Sequence, residues 1–208
     1  MTTIFVITGG DPVPADALEG LPSPDLVVAA DSGLDHAEAL GLRPDVVVGD
    51  FDSVSEEALD RFDGHLERHP VAKDATDLEL ALRSAVGRAP DRIVVVGGHG
   101  GRLDHFLANA LVLTTLPPTV EVEWRAGSAE IHVVHATTRL TGDPGEKVSL
   151  VPVGGSAHGV TTSGLRWPLT DATLSSGSSL GVSNEFSGEH ATVTVRQGTL
   201  LAIIPGQP

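Results

Sequence analysis

Cysteine and tyrosine are absent from this 208-residue chain, and aromatic residues make up only 3% of it. Without cysteine, the chain can have no disulfide bond, no thiolate-ligated zinc and no cysteine nucleophile. Basic side chains are also scarce, 13 against 28 acidic ones, which gives a formal net charge of −15. Because so acidic a surface repels phosphate backbones, we expect neither nucleic acid nor an anionic membrane as a partner.

Long apolar runs are missing as well, and none approaches the length that spans a membrane. The apolar N-terminus, MTTIFVITGG, lacks the basic region and the small-residue cleavage site of a signal peptide. It indicates a first β-strand instead. We therefore expect a soluble protein of the cytoplasm.

The first half of the chain, residues 1–116, has the pattern of an α/β domain. Four short β-branched runs lack polar alternation, which is typical of strands buried on both faces of a parallel sheet. They read TIFVIT, DLVVAA, DVVVG and RIVVVGG. Helical patterns separate them, so we expect βαβ units with right-handed crossovers.

Three helices stand out in this half. Thr76 and Glu79 have the spacing of a capping box, apolar residues with a helical period follow, and Gly87 suits the C′ position. A second helix follows Gly101. The pattern SVSE, which begins at Ser53, could cap a third.

The second half, residues 117–208, begins at a pair of prolines and has a different pattern. Strand-like runs such as VEVEWR (residues 120–125), EIHVVH, KVSLVPV and ATVTVRQG are separated by glycine, serine and threonine, and no helical pattern is evident. We expect an antiparallel β sandwich or barrel here.

Acidic residues follow two buried strands of the first half. Asp31 follows LVVAA, and Asp50 and Asp52 follow VVVG. If the chain stays extended, Asp50 and Asp52 point to the same side, and their charges repel unless a cation lies between them. Carboxylates combined with substrate phosphates suit Mg²⁺. An acidic turn in which Asp52 caps a helix is the simpler alternative, but the other strand-end acids favour a metal site.

Two further segments could bind phosphate. In KDATD, Thr76 is expected to cap a helix, and helix N-termini also bind phosphate; Lys73, one of two lysines, lies beside it. In VVGGHGGRLDH, glycines would let backbone N–H groups approach a phosphate that Arg102 clamps. This loop matches neither the Walker A motif nor GxGxxG, and a plain turn that needs glycine would look similar.

The residues alone leave three functions open. One is a metal-dependent transferase that uses a nucleotide. Another is a phosphatase with an aspartyl-phosphate intermediate, since VVVGDFDSV resembles the motif of haloacid-dehalogenase-like enzymes; that motif usually opens the fold, whereas two strands precede it here. The third is a nucleotide-binding module without turnover, against which a second ligand pocket in the β-rich half would argue.

Five motifs, taken together and in order, resemble the thiamine pyrophosphokinase family. They are AADSG, RPDVVVGDFDSV, KDATD, GGHGGRLDH and GLRWPLTDATLSSGSSLGVSNEF, and they span residues 29–186. His99 departs from the family loop, which more often has a small residue there. The resemblance implies that ATP and thiamine are the substrates, that a diphosphoryl group moves to the thiamine hydroxyl, and that AMP and thiamine diphosphate are the products.

The resemblance also implies roles for residues of the first half. Asp50, Asp52 and Asp77 would hold Mg²⁺ on the phosphates and, with Arg102, would form the catalytic set, while Asp31 would lie in the polar rim. Thr76, Arg102 and Asp104 would contact ATP, and Lys73 would meet phosphate oxygens. No strong general base is evident, and the choice between Asp77 and Asp104 as acceptor of the hydroxyl proton stays open.

For the β-rich half, the resemblance implies thiamine binding and dimerisation. Trp167, Ser183 and Asn184 would contact thiamine. Members of the family form homodimers in which the site lies between the nucleotide domain of one subunit and the β domain of its partner.

Overall fold

The computed structural model describes residues 1–72 and 74–206. The chain divides into two compact units. The first comprises Met1–Val112 and Thr119–Gly127, and the second comprises Leu113–Pro118 and Ser128–Pro208.

Parallel strands and helices build the first unit. The strands are β1 (Thr3–Thr8), β2 (Leu26–Ala30), β3 (Val46–Gly49), β4 (His65–Arg68), β5 (Arg92–Gly97) and β6 (Glu121–Ala126). They form a sheet in the order β4-β3-β2-β1-β5-β6, and every neighbouring pair is parallel. The helices are α1 (Gly33–Ala39), α2 (Glu56–Arg61), α3 (Asp77–Val86) and α4 (Leu103–Leu113). β1 and β3 are buried along their whole length, as the β-branched runs predict.

Helix ends confirm one predicted cap and correct two details. The Oγ1 of Thr76 accepts a hydrogen bond from the backbone N–H of Glu79 at 3.2 Å, so the predicted cap of α3 is confirmed. Gly87 follows α3 with φ −58°, so it does not take the left-handed conformation expected of a C′ glycine. Ser55, rather than Ser53, caps α2 by accepting from the N–H of Ala58.

Strand β6 corrects the predicted boundary between the halves. VEVEWR is one of the strand-like runs of residues 117–208, for which antiparallel pairing is expected. In the structure β6 pairs in parallel with β5, so it belongs to the first unit. The carboxylate of Glu123 in β6 is buried and pairs with Arg92 and, at 2.5 Å, with Arg125.

Antiparallel strands build the second unit, and its described residues 128–206 contain no helix. The strands are β7 (Ala129–Val134), β8 (Thr137–Thr141), β9 (Lys147–Ser163), β10 (Ala172–Leu174), β11 (Asn184–Glu185), β12 (His190–Thr194) and β13 (Gln197–Ile204). β9 pairs with β13 along most of its length and with β12 at its end, and β12 pairs with β8. Side chains from all these long strands share one apolar core. The predicted fold class, a parallel α/β part followed by antiparallel strands, is confirmed.

Across residues 1–72 and 74–206, the structure contains no helix with the length and apolar character needed to cross a membrane.

Candidate active site

The carboxyl ends of the parallel strands open into a cleft of about 330 Å³. Such strand ends are where open α/β sheets bind ligands. Residues that follow β1, β2 and β5 line the cleft, together with the first turn of α3. Among them are four of the predicted site residues: Asp31, Thr76, Asp77 and Arg102.

Four carboxylates gather around the end of β3, and we call Asp31, Asp50, Asp52 and Asp77 the acid cluster. Asp31, Asp50 and Asp52 each place one carboxylate oxygen within 4.8 Å of the others. The Oδ1 atoms of Asp77 and Asp31 lie 3.1 Å and 3.2 Å from the point that a Cβ atom on Gly49 would occupy. Gly49 has φ +156°, so a larger residue would be both strained and crowded at the centre of the cluster.

A left-handed residue separates Asp50 and Asp52. Phe51 lies between them with φ 67°, so the condition of an extended chain is not met, yet one carboxylate oxygen of each lies within 4.8 Å of the other. The buried ring of Phe51 packs with Leu34 and Val54, and this contact holds a backbone conformation that is unfavourable for a bulky residue.

Asp31 fixes the same turn from the neighbouring strand. Its Oδ1 accepts a hydrogen bond from the N–H of Phe51 at 3.0 Å, and its Oδ2 accepts from the hydroxyl of Ser53. Asp31 is only 7% exposed, whereas Asp52 is exposed. Asp31 therefore orients the loop that carries Asp50 and Asp52.

Repulsion dominates the electrostatics of the acid cluster. The charge of Asp50 raises the pKa of Asp52, and partial loss of hydration and the charges of Asp31 and Asp77 raise it further. Closely spaced carboxylate oxygens are hard ligands of the kind that Mg²⁺ prefers, and a divalent cation would relieve this repulsion. The donor set of the acid cluster therefore fits Mg²⁺. Lys73, the cation predicted to lie nearby, falls outside the described residues.

The second predicted motif is a glycine loop, residues 97–101, that follows β5. Its four glycines have φ between 56° and 95°. Side chains there would collide with neighbours: a Cβ on Gly97 would lie 2.3 Å from the carbonyl oxygen of Thr8, and one on Gly100 would lie 2.0 Å from the carboxylate of Asp11. His99 turns its ring towards Gly127, where a Cβ would lie 3.0 Å from its Nε2.

Arg102 and Asp104 follow the glycine loop and form an exposed ion pair. The Nη2 of Arg102 lies 2.6 Å from the Oδ2 of Asp104, and the two side chains are 70% and 65% exposed. The hydrogen bond from Arg102 lowers the pKa of Asp104 to about 2. Because exposed ion pairs contribute little stability, Arg102 can turn towards a ligand at small cost.

Two family models divide the chain between them. The model described as "Thiamin pyrophosphokinase, catalytic domain" matches residues 20–123, and "Thiamin pyrophosphokinase, vitamin B1 binding domain" matches residues 130–200. The chain belongs to the thiamine pyrophosphokinase family. The gap between the two matches, residues 124–129, brackets the boundary at Gly127 that the structure shows.

Individual relatives support the same family. The chain is 30% identical over 211 residues to the thiamine pyrophosphokinase of Bacillus subtilis (strain 168), and the match covers 98% of each chain. It also resembles the crystal structure of a thiamine pyrophosphokinase from Bacillus subtilis, with a TM-score of 0.86, 28% identity and 100% coverage of both chains. A thiamin pyrophosphokinase structure from Geobacillus thermodenitrificans gives a TM-score of 0.79 and 29% identity, covering 100% of this chain and 98% of that one.

The predicted family is thus confirmed, and with it a transferase of the kinase type that serves thiamine diphosphate biosynthesis. Neither the phosphatase nor the non-catalytic module is supported by these matches.

In the second unit, the residues that the thiamine pyrophosphokinase resemblance singled out meet around one turn. Trp167 is 52% exposed, and the guanidinium of Arg166 lies 4.8 Å from the centre of its ring. Asn184 is buried, and its amide group bonds the backbone N–H and carbonyl of Trp167 at 3.1 Å and 2.8 Å. Ser183 is exposed. Asn184 therefore holds the backbone of Trp167 in place. The side chains of Trp167 and Ser183 are the ones accessible to a ligand.

Sequence reasoning missed several residues of the cleft. Gly9 and Gly10, which follow β1, line it beside the glycine loop, and the sequence TGG at the end of a strand was an available signal. Asn109, which also lines the cleft, and Trp124 donate hydrogen bonds to carbonyl oxygens of the glycine loop. No local pattern could reveal these two, because they lie on α4 and β6 and reach the loop only through the tertiary fold.

Proposed function

We propose that this thiamine pyrophosphokinase family member transfers the diphosphoryl group of ATP to the hydroxyl of thiamine, giving AMP and thiamine diphosphate. The observation that carries the proposal is that Asp31 and Asp77 of the acid cluster line the same cleft as the glycine loop and Arg102, with Asp50 and Asp52 close to Asp31. Phosphoryl-type transfer depends mostly on positioning and on neutralising charge, and these are the two things such residues can supply.

The acid cluster is assigned to Mg²⁺. Asp50, Asp52 and Asp77 would hold the ion, and Asp31, whose two oxygens accept bonds from Phe51 and Ser53, would orient the loop between them. Bound there, Mg²⁺ would neutralise the phosphate oxygens of the nucleotide.

The glycine loop is assigned to the phosphates of ATP. Among the described residues, the backbone N–H groups of His99, Gly100 and Gly101 have no hydrogen-bond partner, and such groups are suited to anionic oxygens. Arg102 would leave its exposed pairing with Asp104 to clamp a phosphate. Thr76 and Asp104 remain predicted contacts of ATP, and Lys73 a predicted contact of its phosphate oxygens.

The acceptor of the thiamine hydroxyl proton stays open between Asp77 and Asp104. The hydrogen bond from Arg102 lowers the pKa of Asp104 to about 2, and this bond would be lost when Arg102 turns to a phosphate. Asp77 lines the cleft, but its carboxylate would also hold Mg²⁺.

Thiamine is assigned to the exposed face of Trp167, with Ser183 at its polar edge. An aromatic face suits the flat pyrimidine and the cationic thiazolium of thiamine. A Trp167→Ala variant should raise the KM for thiamine much more than the KM for ATP. Equal increases in the two constants would contradict the assignment.

The product nucleotide tests the reaction itself. Incubation with ATP, Mg²⁺ and thiamine should give AMP in equal amount to thiamine diphosphate, and omission of thiamine or addition of a chelator should stop both. ADP as the only nucleotide product would exclude diphosphoryl transfer, and phosphate release from a simple ester without thiamine would favour a phosphatase.

We further propose that the protein works as a homodimer with sites shared between subunits. Two variants, Asp52→Asn and Trp167→Ala, assayed at a thiamine concentration well below the raised KM of Trp167→Ala, would then regain activity when mixed under conditions of subunit exchange. One site of the heterodimer carries both changes and the other carries neither. Inactivity of verified heterodimers would show that each site is built within one chain.

A further inference from the structure

Two carbonyl oxygens of the glycine loop are held by buried side chains, Trp124, which does not line the cleft, and Asn109, which does. The indole Nε1 of Trp124 donates to the carbonyl oxygen of Gly97 at 2.7 Å, and the amide Nδ2 of Asn109 donates to that of Gly98 at 3.3 Å. Trp124 is 0% exposed and Asn109 is 7% exposed. The bond from Trp124 is buried and the bond from Asn109 is partly buried, and loss of a partner at such a site is costly.

Backbone bonds complete the restraint. The N–H of Gly98 donates to the carbonyl oxygen of Gly9 at 2.8 Å, and the carbonyl oxygen of His99 accepts from the N–H of Asp11 at 2.8 Å. Three consecutive peptide groups of the loop, those that begin at Gly97, Gly98 and His99, are thus fixed through their carbonyl oxygens.

Fixing a carbonyl oxygen also aims the next N–H group. In a planar trans peptide the C=O and the following N–H point in opposite directions. The bond from Asn109 to Gly98 therefore directs the N–H of His99 away from Asn109, and the bond from Asp11 to His99 directs the N–H of Gly100 away from the N–H of Asp11. These two N–H groups have no hydrogen-bond partner among the described residues.

Glycine makes this restraint necessary. Gly97 and Gly98 have φ of 95° and 72°, and glycine has more accessible backbone conformations than any other residue. Without fixed carbonyl oxygens, the loop would lose conformational entropy when it orders around a ligand, and that loss would weaken binding.

We infer that Trp124 and Asn109 are positioning residues for the nucleotide, because they hold the peptide groups of the glycine loop in the orientation that receives phosphate. This inference rests on the proposed assignment of the glycine loop to ATP. Neither side chain is required to touch the nucleotide.

Trp124→Phe is the most direct test. It removes the indole N–H and keeps an aromatic ring against Phe106, whose ring centre lies 5.1 Å from that of Trp124. Loss of one buried hydrogen bond should raise the dissociation constant of a non-hydrolysable ATP analogue and the KM for ATP roughly tenfold, and leave the KM for thiamine unchanged. Calorimetric titration in the presence of Mg²⁺ measures the binding without turnover.

Asn109→Ala provides a second variant, which removes the other donor without disturbing a large core side chain. It should also weaken binding of the analogue several-fold. Phe106→Leu is the control, because it removes the ring contact with Trp124 but no hydrogen bond to the loop, and it should lower the melting temperature without changing the affinity for the analogue.

The outcomes separate this inference from the proposed function. If the wild-type protein forms AMP but both donor variants bind the analogue as the wild type does, the positioning role is wrong. If the donor variants lose only thermal stability, with both KM values unchanged, their role is purely structural and the inference is again wrong. A wild-type protein that binds no ATP analogue would instead overturn the nucleotide assignment itself.

Discussion

Two loops that follow buried strands of the same sheet are held in opposite ways. The loop after β3 carries charge. Its acids are held together by a strained, left-handed Phe51 and by hydrogen bonds that Asp31 accepts, and their mutual repulsion remains. The loop after β5 has four left-handed glycines and is held through its carbonyl oxygens by neutral, buried donors. A cation site can retain repulsion between its carboxylates, because the bound cation relieves it. An anion site needs only well-oriented N–H groups.

The largest expected effect comes from the charged loop. Asp52→Asn should lower the rate roughly a hundredfold or more, because the loss of a metal ligand removes charge stabilisation from the transition state. Steady-state assays across a Mg²⁺ titration measure this, and Asp60→Asn, an exposed acid on α2, is the control. A near wild-type rate for Asp52→Asn at all Mg²⁺ concentrations would contradict the metal assignment.

A smaller effect is expected from the cation beside the glycine loop. Arg102→Ala should lower kcat/KM for ATP roughly thirtyfold, as expected for loss of a charge-assisted contact to phosphate. Arg43→Ala is a closely matched control, because Arg43 is 80% exposed and pairs with Asp63 at 2.5 Å, much as Arg102 pairs with Asp104. Equal, small effects of the two substitutions would exclude the clamp.

Next in size is the effect of the helix cap that leads into Asp77. Thr76→Ala should lower the free energy of unfolding by about 1 kcal/mol, because the N–H of Glu79 loses its acceptor, while Thr76→Ser should retain most of the stability. Urea unfolding measures both variants. If the alanine and serine variants are equally stable, the cap does not stabilise α3.

The smallest expected effect is on thermal stability rather than on activity, and it concerns the charged loop after β3. The pKa of Asp52 is raised in the folded protein, so the metal-free folded state binds protons more readily than the unfolded chain. Asp52 therefore contributes favourably to the stability of the folded protein at pH values below its pKa in the unfolded chain. This contribution is lost as the pH rises through its raised pKa in the folded protein. At neutral pH, Asp52→Asn should raise the melting temperature of the chelator-treated protein, although it abolishes most activity.

This last prediction has an internal check. The difference in melting temperature between Asp52→Asn and the wild type should disappear in acid, where the carboxylate of Asp52 is neutral. Added Mg²⁺ should stabilise the wild type more than the variant. A variant that is less stable than the wild type at neutral pH without metal would show that repulsion in the acid cluster is not significant.

Local patterns predicted the buried strands, the cap at Thr76 and the acidic and glycine-rich strand ends, because each depends on residues close together in the sequence. They did not predict the left-handed turn at Phe51, since a bulky residue normally avoids that conformation and only its packing with Leu34 and Val54 holds it there. Nor did they place β6, because its parallel pairing with β5 depends on residues about thirty positions away.

The roles of individual site residues were likewise predictable from the sequence only in part. The resemblance to a family named Trp167 and Asn184 together, but only the structure separates an exposed ring from a buried amide that supports it. Trp124 and Asn109 could not be found in advance, because a buried tryptophan and a helical asparagine look the same in the sequence whether or not they reach a loop.

The place of β6 at the end of the parallel sheet determines how the protein can be divided experimentally. A fragment that stops at residue 116 lacks β6, so it exposes the hydrogen-bonding edge of β5 and leaves Arg92 without the Glu123 carboxylate. Bare sheet edges of this kind recruit strands from other chains, and such a fragment should aggregate. A fragment that extends to Gly127 keeps β6 on the edge of β5 and the carboxylate of Glu123 beside Arg92.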